Sequence, residues 1–231
     1  MDIVIVGGPH SGVGKTLACE VALRALDGLG YGGIKLTVAD GERDPAHDHG
    51  RSALAVAEAA GICGRGASCG VCETVSAKIP SRLIIHEGAI HKPNTDTWRL
   101  SNAGAVAVAW VIALRSGAPD AVQRAIDHLA GKGARGVVIE GTTALEWIAP
   151  KVSVMVATEP GKKWKDVAVD WVGRCDIVLR NLVPIPPGDI LTPAAFRDAA
   201  AMPCDLSDLT DPGTSSYMQQ LRAGVSAAVR A

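Results

Sequence analysis

The sequence predicts an α/β fold, a doubly wound and mainly parallel sheet with an insertion between two core strands. Short runs of Val, Ile and Ala recur along the chain and are nearly continuous rather than alternating, as strands covered on both faces are. Segments with apolar residues at helical spacing lie between these runs, and strand–helix alternation is the signature of right-handed parallel crossovers. The first strand also enters a glycine-rich stretch that opens a helix, which marks the ligand-binding end of the sheet.

The elements follow in order. DIVIVGG (2–8) reads as a buried strand, and a helix is expected over about residues 15–28. GIKLTVA (33–39) is the second strand. The rhythm then breaks: residues 40–81 carry DGERDPAHDHG, a helix-like RSALAVAEAAG and a cysteine cluster before RLIIHEG resumes the pattern, so this stretch reads as inserted. AVAVAWVIAL (105–114) and ARGVVIEG (134–141) are strands flanking a helix over APDAVQRAIDHLAGKG (118–133). KVSVMVAT (151–158) and CDIVLRNLV (175–183) complete the set, with a helix over KKWKDVAVDWVG (162–173) between them. Beyond residue 183 the pattern weakens into PIPPGDILTP, and a polar helix is expected around 215–229.

Composition bounds the function. A chain of 231 residues suits one domain, and 48% hydrophobic residues with 26 glycines suit an Ala/Val-rich layered core. The net charge of −1 supplies no basic field for nucleic acid or an anionic membrane, so any bound anion needs a local site. The amino terminus, MDIVIVGG, has no positive region and no small-residue cleavage site, so the expected location is cytoplasmic. In a reducing compartment, clustered cysteines point to metal binding or redox chemistry rather than disulfides.

The strongest motif is VIVGGPHSGVGKT (4–16). Backbone N–H groups of Ser11, Gly12, Val13 and Gly14 would ring a phosphate chain at the helix N-terminus, Lys15 would meet the β- and γ-phosphates, and Thr16 would bind Mg²⁺. This is a P-loop of NTPase type, with Pro9 where the strict pattern has Gly and with the core GVGKT intact. Glu140 ends the strand of VVIEGTT at the same sheet edge, where it would hold Mg²⁺ through water or orient an attacking water; an acidic strand end is also an ordinary solvent partner. Asn181, in RNLVPIP, stands where related NTPases read the base, but Leu182 and Pro184 replace the rest of a guanine-specific pattern. The base stays open between ATP and GTP.

HSGVGKT resembles KGGVGKT, the phosphate loop of the dimeric SIMIBI NTPases, whose signature lysine reaches the neighbouring subunit's nucleotide; His10 stands at that position. That resemblance implies a homodimer, and a neutral imidazole cannot replace a fixed cation. GGPHSGVGKT, KPNTDTWRLSNAGA (92–105) and VVIEGTTALEWIAPKVSV (137–154) together resemble the MobB family, the molybdopterin-guanine dinucleotide biosynthesis protein B. The likeness covers the core strands but not residues 40–81, and Asn94-Thr95 replaces the family's Gly-Lys. It implies that Asp96, Thr97, Arg99 and Ala103 to Ala105 form a switch-like segment near the nucleotide, and that Pro150-Lys151 starts the next strand.

CGRGASCGVC places Cys63, Cys69 and Cys72 in a C-x5-C-x2-C pattern. The C-x2-C pair lets two thiolates grip one metal, and glycines 64, 66 and 70 leave N–H groups for cluster sulfides. A closed zinc site needs a fourth ligand, which could be His47, His49, Cys175, Cys204 or a group from a second subunit. A [4Fe-4S] cluster with one open corner, or one shared across a dimer, suits the count; zinc, redox thiols and plain loop packing are the alternatives. The expected function is a Mg²⁺-dependent nucleoside triphosphatase with a cysteine-bound metal centre, acting in metallocofactor assembly or delivery. Alternatives are a small-molecule kinase or ligase acting on a cofactor-like acceptor, and a slow nucleotide-gated adapter for a metalloenzyme.

Overall fold

The structure is a computed structural model that describes residues 1–39, 74–158, 164–183 and 194–227. Its strands are β1 (Asp2–Gly7), β2 (Tyr31–Ala39), β3 (Ser81–Ile84), β4 (Val108–Leu114), β5 (Gly136–Glu140), β6 (Val152–Ala157), β7 (Ile177–Asn181) and β8 (Met202–Cys204). They form one sheet in the order β3-β4-β2-β5-β1-β6-β7-β8. Every described pairing is parallel except that of edge strand β3 with β4. The chain is therefore α/β with a mostly parallel sheet, as the apolar runs imply.

The helices are α1 (Lys15–Ala25), α2 (Glu87–Ile90), α3 (Asp96–Asn102), α4 (Ala118–Gly131), α5 (Asp166–Val172), α6 (Ala194–Asp198) and α7 (Pro212–Ser226). They cover both faces of the sheet. Because side chains alternate along a strand, Val4 and Val6 of β1 pack with α1 and α7, whereas Ile5 packs in the opposite layer with α4 and α5. Both layers are built of buried apolar side chains, as strands that are apolar on both faces provide. Residues 40–73 of the expected insertion, including Cys63, Cys69 and Cys72, lie outside the described residues.

Several boundaries move for local reasons. The strand expected from 105 starts at Val108, because Gly104 takes φ 102° and Ala105 donates back to the Leu100 carbonyl, closing α3. The helix expected over 15–28 stops at Ala25, and Gly28 and Gly30, with φ 76° and 77°, turn the chain into β2. The carboxy-terminal helix starts at Pro212 rather than 215, because the Asp211 carboxylate accepts from Thr214 N at 2.9 Å and Pro fits the first turn. β8, α2 and α6 have no counterpart in the sequence reading; MPC and EGAI are too short to carry a period.

Candidate functional site

β1 lies between β5 and β6, so the loop after Gly7 opens at the carboxy-terminal edge of the sheet, beside the ends of both neighbours. Thr142, just past β5, fixes the start of this loop. Its Oγ1 accepts from Gly8 N at 2.8 Å and donates to Gly8 O at 2.7 Å. A Cβ on Gly8 would sit 2.7 Å from a Val13 methyl and 2.8 Å from the Val156 carbonyl, so only glycine passes here. Gly12 and Gly14 take φ 84° and 101°, which turns the backbone over and delivers it to α1 at Lys15. The Lys15 ammonium curls back and donates to the His10 carbonyl at 2.5 Å.

Asn181, at the end of β7, braces the same loop from below. Its Nδ2 donates to Val13 O at 3.1 Å, and its Oδ1 accepts from Val183 N at 3.1 Å. Val13 itself is fully buried and serves the loop through its backbone.

Next to the loop, four polar side chains from four elements converge. Thr16 of α1 shares its hydroxyl between Asp96 Oδ1 at 3.0 Å and Glu140 Oε2 at 3.1 Å. Asp96 is delivered by the first turn of α3, whose cap is Thr95 accepting from Trp98 N at 3.3 Å. Glu140 ends β5 and is almost completely buried, which is tolerable only because the Lys35 ammonium pairs with it. Lys35 stands opposite Glu140 in the β2–β5 register and also pairs with Asp96 at 2.5 Å.

The charges support one another. Burial works to lower the Lys35 pKa, but Glu140 and Asp96 together raise it above 10.5, so the ammonium persists. Burial works to raise the Asp96 pKa, but Lys35 and the Thr16 hydroxyl hold it below 3.8. Beneath the cluster, burial, reinforced by Glu140, pushes the Cys19 thiol well above its ordinary value, so Cys19 is a core thiol.

The cluster forms the floor of a cavity of about 800 Å³ lined by the glycine-rich loop and by Lys35, Lys92, Asp96, Glu140 and Lys165. Thr16 Oγ1 and the two carboxylates form a compact set of hard oxygen donors. Such a set fits a small divalent cation that keeps some of its waters.

Ser11, Gly12, Gly14, Lys15, Thr16 and Glu140 thus come together around this cavity. Asn181 does not line it: both ends of its amide are engaged with the backbone. Arg99 pairs with Glu20 of α1, which ties α3 to the helix that carries Thr16. Lys35 and Thr142 are not among the site residues that the sequence predicts. Lys35 had a signal, being the sole charge in an otherwise apolar strand; Thr142 had none, since its partner is 134 residues away.

His47 and His49 lie outside the described residues, like the cysteine cluster. Cys204 is fully buried in β8, its thiol directed at the Arg180 carbonyl, and burial raises its pKa to about 12. Burial likewise raises Cys175 to about 11. Neither lines the cavity.

Comparison of the chain with family models, curated proteins and solved structures finds no match. Fold and site together define a mostly parallel α/β protein with a glycine-rich loop and a carboxylate–hydroxyl cluster at its switch-point edge. Among the described residues no helix is long and apolar enough to cross a membrane.

Proposed function

We propose that the protein is a Mg²⁺-dependent P-loop nucleoside triphosphatase. The observation that carries this reading is the meeting of Thr16, Asp96 and Glu140 beside the loop that ends in Lys15. Main-chain N–H groups of residues 11–16 bind the phosphate chain, with the N-terminus of α1 adding positive partial charge. Lys15 leaves the His10 carbonyl to contact the β- and γ-phosphates. Thr16, with Asp96 and Glu140 directly or through water, holds Mg²⁺, which when bound neutralises charge on the terminal phosphates. Glu140 also has the position to orient a water for attack on the γ-phosphate.

Asn181 braces the loop in this reading, its amide being engaged with the backbone at both ends, and ATP and GTP are both admitted. Calorimetry in Mg²⁺ with each purine triphosphate tests it. Binding of at least one, abolished in Lys15→Ala, is expected; no heat with either would overturn the proposal.

The metallocofactor role rests on the MobB-like segments and on the cysteine pattern. Its structural support is that Asp96, inside KPNTDTWRLSNAGA, hydrogen-bonds Thr16 as a nucleotide-sensing segment should. Cys63, Cys69 and Cys72 then hold a metal centre, [4Fe-4S] in preference to zinc, that responds to nucleotide state in a homodimer or on a client metalloenzyme. Anaerobically purified protein should be brown and contain iron, and the triple Cys→Ser variant should lose the colour while keeping nucleotide affinity. One observation favours a kinase or ligase reading: the cavity extends past the loop to Lys92 and Lys165, which are cations suited to an anionic acceptor. Phosphate release without any acceptor would exclude it.

A further inference from the structure

The roles above employ Lys15, Thr16, Asp96 and Glu140 but give none to Lys35. Its ammonium lies between the two carboxylates, 2.5 Å from Asp96 Oδ2 and paired with Glu140 Oε1, while Thr16 Oγ1 bonds Asp96 Oδ1 and Glu140 Oε2. The ammonium and a divalent cation therefore compete for the same two carboxylates. Resting on the triphosphatase reading, we infer that Lys35 makes metal binding conditional on nucleotide. Its ammonium holds the cation position between Asp96 and Glu140, and it withdraws toward bound phosphate when the metal enters.

Charge counting gives the direction. Two carboxylates and one ammonium sum to −1. A divalent cation added to this trio makes the sum +1, with two positive centres close together in a partly buried site. That arrangement is unfavourable until an anion arrives to receive the ammonium. A bound triphosphate is such an anion, and Lys35 lines the same cavity as Lys15. The lysine stem has four flexible carbons, and the side chain is already 19% exposed, so the head can turn without unfolding β2. The metal alone meets a competitor, whereas the metal with nucleotide finds the competitor engaged elsewhere. The two ligands consequently bind with positive coupling.

Mn²⁺ is the probe, with free Mn²⁺ read by electron paramagnetic resonance. Without nucleotide, Lys35→Gln should bind Mn²⁺ more than about tenfold tighter than wild type, and Lys35→Arg, which keeps the charge, should resemble wild type. Equal Mn²⁺ affinity in wild type and Lys35→Gln would overturn the inference. Should Lys35→Gln fail to fold, wild-type protein gives a second measurement. Acetylation of Lys35, quantified by mass spectrometry, should stay flat when Mn²⁺ is added without nucleotide at concentrations that bind in its presence; a rise with Mn²⁺ alone overturns the inference equally. Calorimetry of wild type with nucleotide and Mn²⁺ separates the two layers. Nucleotide binding with an unchanged Lys35→Gln sinks this inference alone, and no nucleotide binding sinks the function with it.

Discussion

Gly14 shows how tightly single residues of the loop are specified. It takes φ 101°, and a Cβ there would lie 2.5 Å from Asn181 Nδ2, in the middle of the brace that holds Val13. Gly14→Ala should therefore destabilise the fold by about 1–2 kcal/mol from the left-handed backbone alone and weaken nucleotide binding further by displacing Asn181. Thermal unfolding and nucleotide titration of the same variant check both effects. Asp96 makes a prediction in pH. Although burial opposes it, Lys35 and Thr16 hold the folded pKa below the ordinary 3.8, so the ionised form is favoured by folding. Its contribution to stability is present in full above the unfolded value and is lost as pH falls through the folded one. Urea midpoints from about pH 3 to about pH 7 should fall less steeply at the acid end in Asp96→Asn than in wild type. Lys35 has the opposite sign, with its folded value raised, so its contribution is intact across the neutral range and fades only in strong base.

Among the elements, α7 is the one whose placement the site depends on from a distance. Tyr217 is fully buried and donates its hydroxyl to Ala18 O at 3.1 Å, joining α7 to the helix that carries Thr16. Tyr217→Phe should cost about 1 kcal/mol, the net worth of one buried hydrogen bond, read as a shifted denaturant midpoint. The start of α7 passes so close to β8 that a Cβ on Gly213 would sit 1.9 Å from the Pro203 carbonyl. Backbone cannot yield that far without separating helix from strand. Gly213→Ala is therefore expected to cost more than Tyr217→Phe, above about 2 kcal/mol, in the same denaturation experiment.

For the whole molecule, the sheet supports two apolar layers, with α1, α3 and α7 on one face and α4 and α5 on the other. The loop, Asp96 and Glu140 reach the cavity from α1, α3 and β5, so a ligand seated there joins several elements at once. Nucleotide with Mg²⁺ at about a hundred times Kd should stabilise the whole fold by about 2.7 kcal/mol, seen as a raised Tm that Lys15→Ala abolishes. Much of this organisation is legible in the chain. β1, β2, β4 to β7 and α4 follow from apolar runs and helical spacing, and the loop follows from its glycines, because local periodicity and backbone sterics act over a few residues. Lys35 is not legible in this way, because a charge inside an apolar strand gains meaning only once its partners are known.

The amino-acid order alone determined the α/β alternation, the glycine-rich turn before Lys15 and the candidacy of Thr16 and Glu140, since each depends on neighbours in sequence. Only the tertiary structure decided that Lys35, Asp96, Glu140 and Thr16 form one cluster, and that Asn181 and Thr142 brace the loop. Those contacts join residues 61 to 168 positions apart in the chain, for example Val13 with Asn181 at a separation of 168. Sheet order and strand register set such distances, and neither is encoded in any local pattern.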